Sequence, residues 1–251
     1  MVEQQPTQFS PPLPLVLLPG LDGTGQLFKW FLDALPSEFK PIIVPLPREV
    51  DDYAALEARV ARFIPRDQPF AILGESFSGP LALRLAARGY ENLVGVILIA
   101  SFITQPVGWV PGFARYMLHP LIFHLPIPIP LLRWLLLDRN PPAALMNGTL
   151  ESLRSVDPAI LAGRTKAALT VDVTEAFVAC PAPILYLGGT QDRLISSQTA
   201  KRMKALRPDI ECIMVDAPHF LLQRAPASAA GAIAEFLRRH NPLKPASFEL
   251  D

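Results

Sequence analysis

Residues 70–87 read FAILGESFSGPLALRLAA, and the serine at position 76 lies at the centre of this stretch. The apolar run 70–73 predicts a buried strand, and the apolar residues after the turn predict a helix. Between them the chain has only GESFS in which to turn, so the neighbours of Ser76 must be small. The pattern G-x-S-x-G describes a strained turn that lifts a serine hydroxyl clear of a sheet. Ser78 stands where the second glycine of this pattern is usual, and Gly79 follows it.

Composition limits what else the chain can be. Half of its 251 residues are hydrophobic, which is enough to bury the core of one large domain. Lys plus Arg and Asp plus Glu are each 23, without a long basic run, so nucleic acid is not an expected partner. Cys180 and Cys212 are expected to be free thiols in a reducing compartment. No basic segment followed by an apolar one opens the chain, so we expect a cytoplasmic location. We expect neither a metal nor a cofactor, because no motif for either is present.

Apolar strands alternate with helical patterns along most of the sequence. This alternation predicts right-handed βαβ units and a doubly wound, mostly parallel sheet. The regularity stops between positions 102 and 172, where prolines cluster and no strand is evident. We therefore predict one domain, with a core formed by residues 13–101 and 173–251 and a helical cap at 102–172. The predicted strands are 15–18, 41–46, 70–73, 93–100, 184–188 and 210–215.

The most apolar part of the insertion is residues 116–132, which carry no Asp, Glu, Lys or Arg. Prolines at positions 120, 126, 128 and 130 argue against a membrane span, since lipid cannot replace the backbone hydrogen bonds that they remove. We expect a buried or interfacial lid whose apolar side chains favour hydrophobic acyl or alcohol groups. Ordinary core packing between helices is the alternative. The candidate substrate-binding residues are Trp109, Met117, Phe123 and Leu131.

A serine needs a base to take its proton, and the base needs a third group to orient it. In a parallel sheet such groups converge only on loops at the carboxyl ends of strands. Of the four histidines, His219 alone follows a late strand. Asp192 follows the strand 184–188 after a short loop, which makes it the candidate acid. Asp216 is close to the histidine in the same loop, and a turn or helper role fits it better.

The negative oxygen of a tetrahedral intermediate needs backbone N–H donors. One is expected from Phe77, directly after the candidate nucleophile, and the other from Leu21, in the glycine-rich loop after the first strand. The glycines at 23 and 25 also resemble a phosphate-binding loop, but their spacing matches neither the dinucleotide nor the P-loop fingerprint.

Four segments, LPGLDGTG, GESFSG, GGTQDRLI and APHFLLQRAP, occur in this order. In this respect the chain resembles α/β-hydrolase-fold serine hydrolases of the carboxylesterase and lipase type. The first two segments are also similar to the esterase and acyltransferase domain of plant phytyl ester synthases. The resemblance implies Ser76 as nucleophile, Asp192 as acid, His219 as base, and Leu21 and Phe77 as oxyanion donors. The sequence departs from the family pattern in having Ser78 and in having a proline, rather than a histidine, before Gly20.

The sequence is consistent with three functions. The first is a serine carboxylic ester hydrolase that acts on apolar, short- to medium-chain acyl esters through an acyl-enzyme. An acyltransferase to an apolar alcohol would use the same residues. A weakly catalytic ligand-binding protein on a hydrolase scaffold is the third. A dehalogenase is disfavoured, because its nucleophile would be an aspartate in place of Ser76.

Overall fold

One six-stranded sheet forms the centre of the fold. The computed structural model describes residues 11–106, 128–138 and 140–240. The strands are β1 (Leu13–Leu18), β2 (Phe39–Ile43), β3 (Phe70–Glu75), β4 (Leu93–Ile99), β5 (Ile184–Gly189) and β6 (Glu211–Val215). Their order is β2-β1-β3-β4-β5-β6, and every neighbouring pair is parallel. The prediction of a doubly wound, mostly parallel sheet is confirmed.

The apolar strands are buried because helices cover both faces of the sheet. Every residue of β1, β3, β4 and β5 is buried. Successive residues of β1 enter opposite cores: Leu15 and Leu17 pack on one face, and Val16 and Leu18 on the other. This alternation follows from the two-residue period of a strand, and it explains why these segments are apolar throughout.

Helices follow most of the strands. They are α1 (Lys29–Ala34), α2 (Tyr53–Val60), α3 (Ser78–Ala86), α4 (Ile129–Leu136), α5 (Ala143–Arg154), α6 (Pro158–Thr170), α7 (Thr174–Ala179), α8 (Gln198–Leu206), α9 (Leu221–Arg224) and α10 (Pro226–Arg239). Helices α1, α9 and α10 pack on one face of the sheet, through Phe31, Leu221 and Phe236. Helices α2, α3, α7 and α8 pack on the other face.

The second strand ends earlier than the sequence suggests. We predicted it over 41–46, whereas β2 spans Phe39–Ile43. The N–H of Val44 still donates to the Leu17 carbonyl at 3.0 Å. The next N–H on that side of the strand is that of Leu46, and it donates at 2.8 Å to the Gly23 carbonyl in the loop after β1. The pairing with β1 therefore stops there.

Among the helices that the structure describes, α4 to α7 lie between β4 and β5, where the sequence predicted a helical insertion. Proline lies in the first turn of two of them, Pro130 in α4 and Pro158 in α6, and α5 follows Pro142. Proline is favoured in the first helical turn because no intrahelical partner is available there for its missing N–H. Within the described ranges, no helix is both long enough and apolar enough to cross a membrane.

The strand order reverses beside β1, and this reversal positions the site. The chain places β2 on one side of β1 and then continues through β3 to β6 on the other side. A crevice opens at such a reversal, beyond the carboxyl ends of the two central strands. The loop that begins at Pro19 follows β1 and the turn at Ser76 follows β3, so both enter this crevice.

Candidate active site

Ser76 occupies a strained turn between β3 and α3. Its φ is +50°, a conformation that non-glycine residues rarely adopt. A Cβ added at Gly74 would lie 2.4 Å from the Ser78 carbonyl oxygen, and one at Gly79 would lie 1.8 Å from the Ser101 hydroxyl. Gly74 of β3 therefore packs against the backbone of α3, and Gly79 packs against Ser101, which follows β4. Position 78 accommodates a serine because its hydroxyl reaches the loop after β1, where it donates to the Pro19 carbonyl.

The side chains of Ser76, His219 and Asp192 form one hydrogen-bonded chain. Ser76 Oγ lies 2.9 Å from His219 Nε2, and His219 Nδ1 lies 2.8 Å from Asp192 Oδ2. Because a carboxylate can only accept, Nδ1 carries the proton and Nε2 is left free to accept one from the serine hydroxyl. The arrangement can therefore transfer the serine proton to the imidazole.

Backbone amides fix the Asp192 carboxylate. Oδ1 accepts from the N–H of Leu194 at 2.8 Å and of Ile195 at 2.9 Å, which leaves Oδ2 facing the imidazole. Asp216 lies elsewhere: its Oδ1 accepts from Thr190 Oγ1 at 3.0 Å and from the Gln191 side-chain amide at 2.8 Å. Asp216 thus ties together the loops after β5 and β6.

Burial and charge act in opposite directions on His219. Its side chain is only 4% exposed, and this burial lowers the pKa of the imidazole. The Asp192 carboxylate outweighs that effect, so the net pKa of His219 lies above its ordinary value. Among the other histidines, His240 Nδ1 lies 2.9 Å from the Phe236 carbonyl oxygen at the end of α10. His119 and His124 lie outside the described residues.

A hydrogen bond to its carbonyl oxygen fixes the orientation of the peptide between Gly20 and Leu21. The Gly20 oxygen accepts from the N–H of Gly23 at 3.0 Å. In a planar trans peptide the N–H points opposite to the C=O, so the N–H of Leu21 is directed away from this turn. Gly20 and Leu21 line the same cavity as Ser76.

The peptide between Ser76 and Phe77 is held in the same way. The Ser76 carbonyl accepts from Ser101 Oγ at 2.7 Å and from the N–H of Gly79 at 3.1 Å. These bonds direct the N–H of Phe77 to the opposite side of the peptide. Each candidate oxyanion donor therefore belongs to a peptide whose carbonyl is already occupied.

A cavity of about 200 Å³ lies against Ser76, and its walls are mainly apolar. The helices between β4 and β5 contribute to it, as do the loops after the strands. Its apolar walls include Leu27, Phe102, Leu136, Leu153, Leu169 and Phe220.

The predicted substrate-binding residues are not among the described cavity walls. Leu131 lies on α4 with 48% of its surface exposed and does not line the cavity, whereas its neighbour Leu132 is buried. Trp109, Met117 and Phe123 lie outside the described residues. No group of metal-ligating side chains occurs in the part of the chain that the structure describes.

Comparison with known families identifies the fold's relatives. The family model described as "Alpha/beta hydrolase family" matches residues 15–232. The chain belongs to the alpha/beta hydrolase family. Comparison with curated proteins finds no match.

Many solved structures share this hydrolase fold. An esterase from Exiguobacterium antarcticum superimposes with a TM-score of 0.77 at 15% identity, over 90% of this chain and 92% of that one. A thermophilic esterase from Thermogutta terrifontis gives 0.75 at 22% identity, covering 91% and 90%. A lipase-esterase related protein from Clostridium acetobutylicum gives 0.73 at 16% identity, covering 90% and 94%. At these identities the likeness establishes the fold alone.

The titratable group next to the serine was not predicted from the sequence. Glu75 lines the cavity although it is buried, and burial raises the pKa of its carboxyl to about 7. The side-chain amide of Gln223 donates to Glu75 Oε1 at 2.9 Å. The Gln223 side-chain oxygen is buried and has no hydrogen-bond partner among the described residues. Burial raises the pKa because it disfavours the charged form of the carboxyl, and the hydrogen bond from Gln223 opposes this effect only in part.

We expect Glu75→Gln to change how stability depends on pH. The pKa of Glu75 rises from 4.5 to about 7 on folding, so the folded hydrolase binds the proton more tightly than the unfolded chain. The protonated Glu75 therefore makes its full contribution to the free energy of unfolding below pH 4.5, and this contribution is lost as the pH rises through about 7. The loss amounts to on the order of 3 kcal/mol. Urea unfolding of both proteins at about pH 5 and about pH 8 measures this difference.

The matched control for Glu75 is the exposed Glu235, because a Glu235→Gln change leaves the buried carboxyl in place. The Glu235 variant should retain the wild-type loss of stability, whereas the Glu75 variant should show less of it. An identical pH dependence in all three proteins would contradict a raised pKa at Glu75.

Proposed function

We propose that this member of the family is a serine carboxylic ester hydrolase that works through an acyl-enzyme. The observation that carries the proposal is the continuous hydrogen-bonded chain from Ser76 through His219 to Asp192. The strained turn at Ser76 supports it, because such a turn exposes the serine hydroxyl above the sheet.

In the acylation half, Ser76 Oγ attacks the ester carbonyl carbon while His219 Nε2 takes its proton. The carbonyl oxygen becomes an anion and accepts hydrogen bonds from the N–H groups of Leu21 and Phe77. The protonated imidazole then donates its proton to the alcohol oxygen as the C–O bond breaks. Asp192 stabilises the imidazolium and keeps the ring oriented.

In the deacylation half, a water molecule repeats the attack on the acyl-enzyme. His219 takes a proton from the water, the same two N–H groups bind the second oxyanion, and the proton returns to Ser76 Oγ as the acid leaves. The raised pKa of His219 places the acidic limb of the activity profile above the ordinary value of 6.5, because only the neutral imidazole can accept the proton.

The substrate in this proposal is an apolar ester with a short- to medium-chain acyl group. A cavity of about 200 Å³ is smaller than the pockets that hold drug-sized ligands, and its walls are mainly apolar. The polar groups at the cavity include the acidic side chain of Asp22, which disfavours an anionic substrate. Helices α4 to α6 act as the cap of a single domain and supply walls such as Leu136 and Leu169.

Two measurements test the proposed activity. A fluorophosphonate probe should label Ser76, and the protein should hydrolyse p-nitrophenyl esters in a series from acetyl to decanoyl, with its preference at the shorter lengths. A wild-type protein that is neither labelled nor active on any of these esters would favour the ligand-binding alternative instead.

The apolar wall formed by α6 gives a prediction about acyl length. Leu169 lines the cavity, whereas Leu161 is buried on the same helix away from it. We expect Leu169→Ala to shift the preference toward longer acyl chains, since each added methylene that it accommodates is worth up to about 0.8 kcal/mol, or roughly fourfold in kcat/KM. The measurement is kcat/KM across the same ester series.

Leu161→Ala is the matched control, because both changes empty a buried site and each should lower stability by about 2 to 5 kcal/mol. Only the Leu169 variant should alter the length profile. If the two variants give the same profile as wild type, Leu169 packs the core and does not contact the acyl chain.

A further inference from the structure

Three consecutive carbonyl groups in the loop after β1 are each held by a hydrogen bond. Ser78 Oγ donates to the Pro19 oxygen at 2.5 Å, and the N–H of Gly23 donates to the Gly20 oxygen at 3.0 Å. Arg164 Nη1 donates to the Leu21 oxygen at 3.0 Å. The peptide that carries the N–H of Leu21 therefore lies between two carbonyls that side chains from other elements hold in place.

The Arg164 side chain is fully buried on α6 and binds backbone oxygens in place of a carboxylate. Its further contacts are the carbonyls of Asp22 at 3.2 Å, Val50 at 3.1 Å and Pro47 at 2.7 Å. None of the ion pairs formed by the described residues includes it. Removing a guanidinium from water is costly unless its donors are satisfied. A fork that reaches several carbonyls at once requires the planar geometry of arginine, which lysine lacks.

The residue after Leu21 is held as well. Asp22 Oδ2 accepts from Ser152 Oγ of α5 at 2.6 Å and from Thr24 Oγ1 at 2.5 Å. Helices α5 and α6 thus both reach the loop after β1, from positions more than a hundred residues further along the chain.

We propose that Ser78 and Arg164 are positioning residues that hold the Gly20–Leu21 peptide in the orientation required by the oxyanion. This inference rests on the proposed ester hydrolysis. It explains a function of Ser78 that a glycine at this position could not have, because only a side-chain hydroxyl can donate the hydrogen bond to the Pro19 carbonyl. It also makes α6 part of the catalytic arrangement, in addition to its place in the cavity wall.

The test compares Ser78→Ala and Arg164→Lys with wild type. Each variant keeps Ser76, His219 and Asp192 but loses a bond to the loop. A displacement of about 1 Å in an active site lowers the rate about a hundredfold, and complete loss of one oxyanion donor lowers it about a hundred- to a thousandfold. Each variant loosens the peptide but keeps the N–H of Leu21, so we expect the smaller loss, a fall in kcat of about 10- to 100-fold. KM should change by less than about threefold, because the loop acts on the transition state.

A trifluoromethyl ketone provides a second readout. Ser76 Oγ adds to its carbonyl carbon and creates an oxyanion, so its affinity should fall in parallel with kcat. All rates are divided by the concentration of sites that a fluorophosphonate labels to completion. If Arg164→Lys fails to fold, Ser78→Ala decides the question, since it removes a single oxygen atom.

The control is Arg207→Lys. Arg207 donates to the backbone carbonyls of Phe177, Cys180 and Ala182 and also pairs with Asp209. It is therefore a guanidinium that likewise holds several carbonyls, but away from the cavity and the loop after β1. Its change should lower the melting temperature without lowering kcat. An unchanged kcat and ketone affinity in the Ser78 and Arg164 variants, with only lower melting temperatures, would overturn the inference and leave ester hydrolysis standing. A wild-type protein without any esterase activity would overturn both.

Discussion

Ser76→Ala is expected to lower ester turnover by about a million-fold, the loss that follows removal of a triad nucleophile. The change removes one oxygen atom, whose hydrogen-bond partner is His219 Nε2 at 2.9 Å. Without it no acyl-enzyme can form, and only the oxyanion donors and substrate binding remain to accelerate the reaction. The measurement is kcat on the best p-nitrophenyl ester, together with fluorophosphonate labelling, which should disappear.

The fold should survive this substitution. The strained backbone at position 76 is held by the Ser101 hydroxyl and the N–H of Gly79, which bind the main-chain carbonyl and do not involve the side chain. The control is Ser155→Ala, because Ser155 donates its hydroxyl to a backbone carbonyl on α5 and does not line the cavity. Retention of even a tenth of the wild-type rate by Ser76→Ala, at an unchanged melting temperature, would show that Ser76 is not the nucleophile.

The proximity of the three polar side chains could be predicted from sequence because parallel strands impose it. Each of Ser76, Asp192 and His219 follows a different strand, and the carboxyl ends of those strands share one edge of the sheet. Apolar runs with short loops are sufficient to establish this. The contacts at 2.8 and 2.9 Å then depend only on loops of a few residues.

The partners of the loop after β1 could not be predicted in the same way. Arg164 and Ser152 reach it from more than a hundred residues away, through helices that the sheet pattern does not place. An arginine within a helix is most often exposed, so its type gives no sign that it is buried. Glu75 posed the same difficulty: the turn pattern predicts its backbone, but the pKa of its carboxyl depends on the burial around it.

The apolar composition of α4 also does not indicate which of its side chains point toward the core. We placed Leu131 in the substrate pocket because the surrounding segment is apolar, yet it is exposed and the next residue, Leu132, is the buried one. Adjacent helical positions point about 100° apart, so a uniformly apolar segment does not indicate which of its residues faces inward.

Asp192→Asn is expected to lower turnover by about ten thousand-fold, the scale observed when a triad carboxylate becomes neutral. The geometry explains why the loss should be this large. The N–H groups of Leu194 and Ile195 both bind Oδ1, so the asparagine oxygen will occupy that position and its NH2 group will face the imidazole. Nδ1 of His219 must then accept, which moves the ring proton to Nε2 and leaves no base for the serine hydroxyl.

The comparison with Asp216→Asn tests whether this acid is assigned to the correct loop. Asp216 Oδ1 accepts from the side chains of Thr190 and Gln191 at the surface, and an asparagine oxygen can keep both bonds. Its kcat should therefore stay within about threefold of wild type, the range of surface changes that leave the site intact. Both substitutions replace a carboxylate with an amide of the same shape. A lower kcat for the Asp216 variant than for the Asp192 variant would therefore contradict the assignment of Asp192 as the acid, although its hydrogen bond to His219 is present in the resting protein.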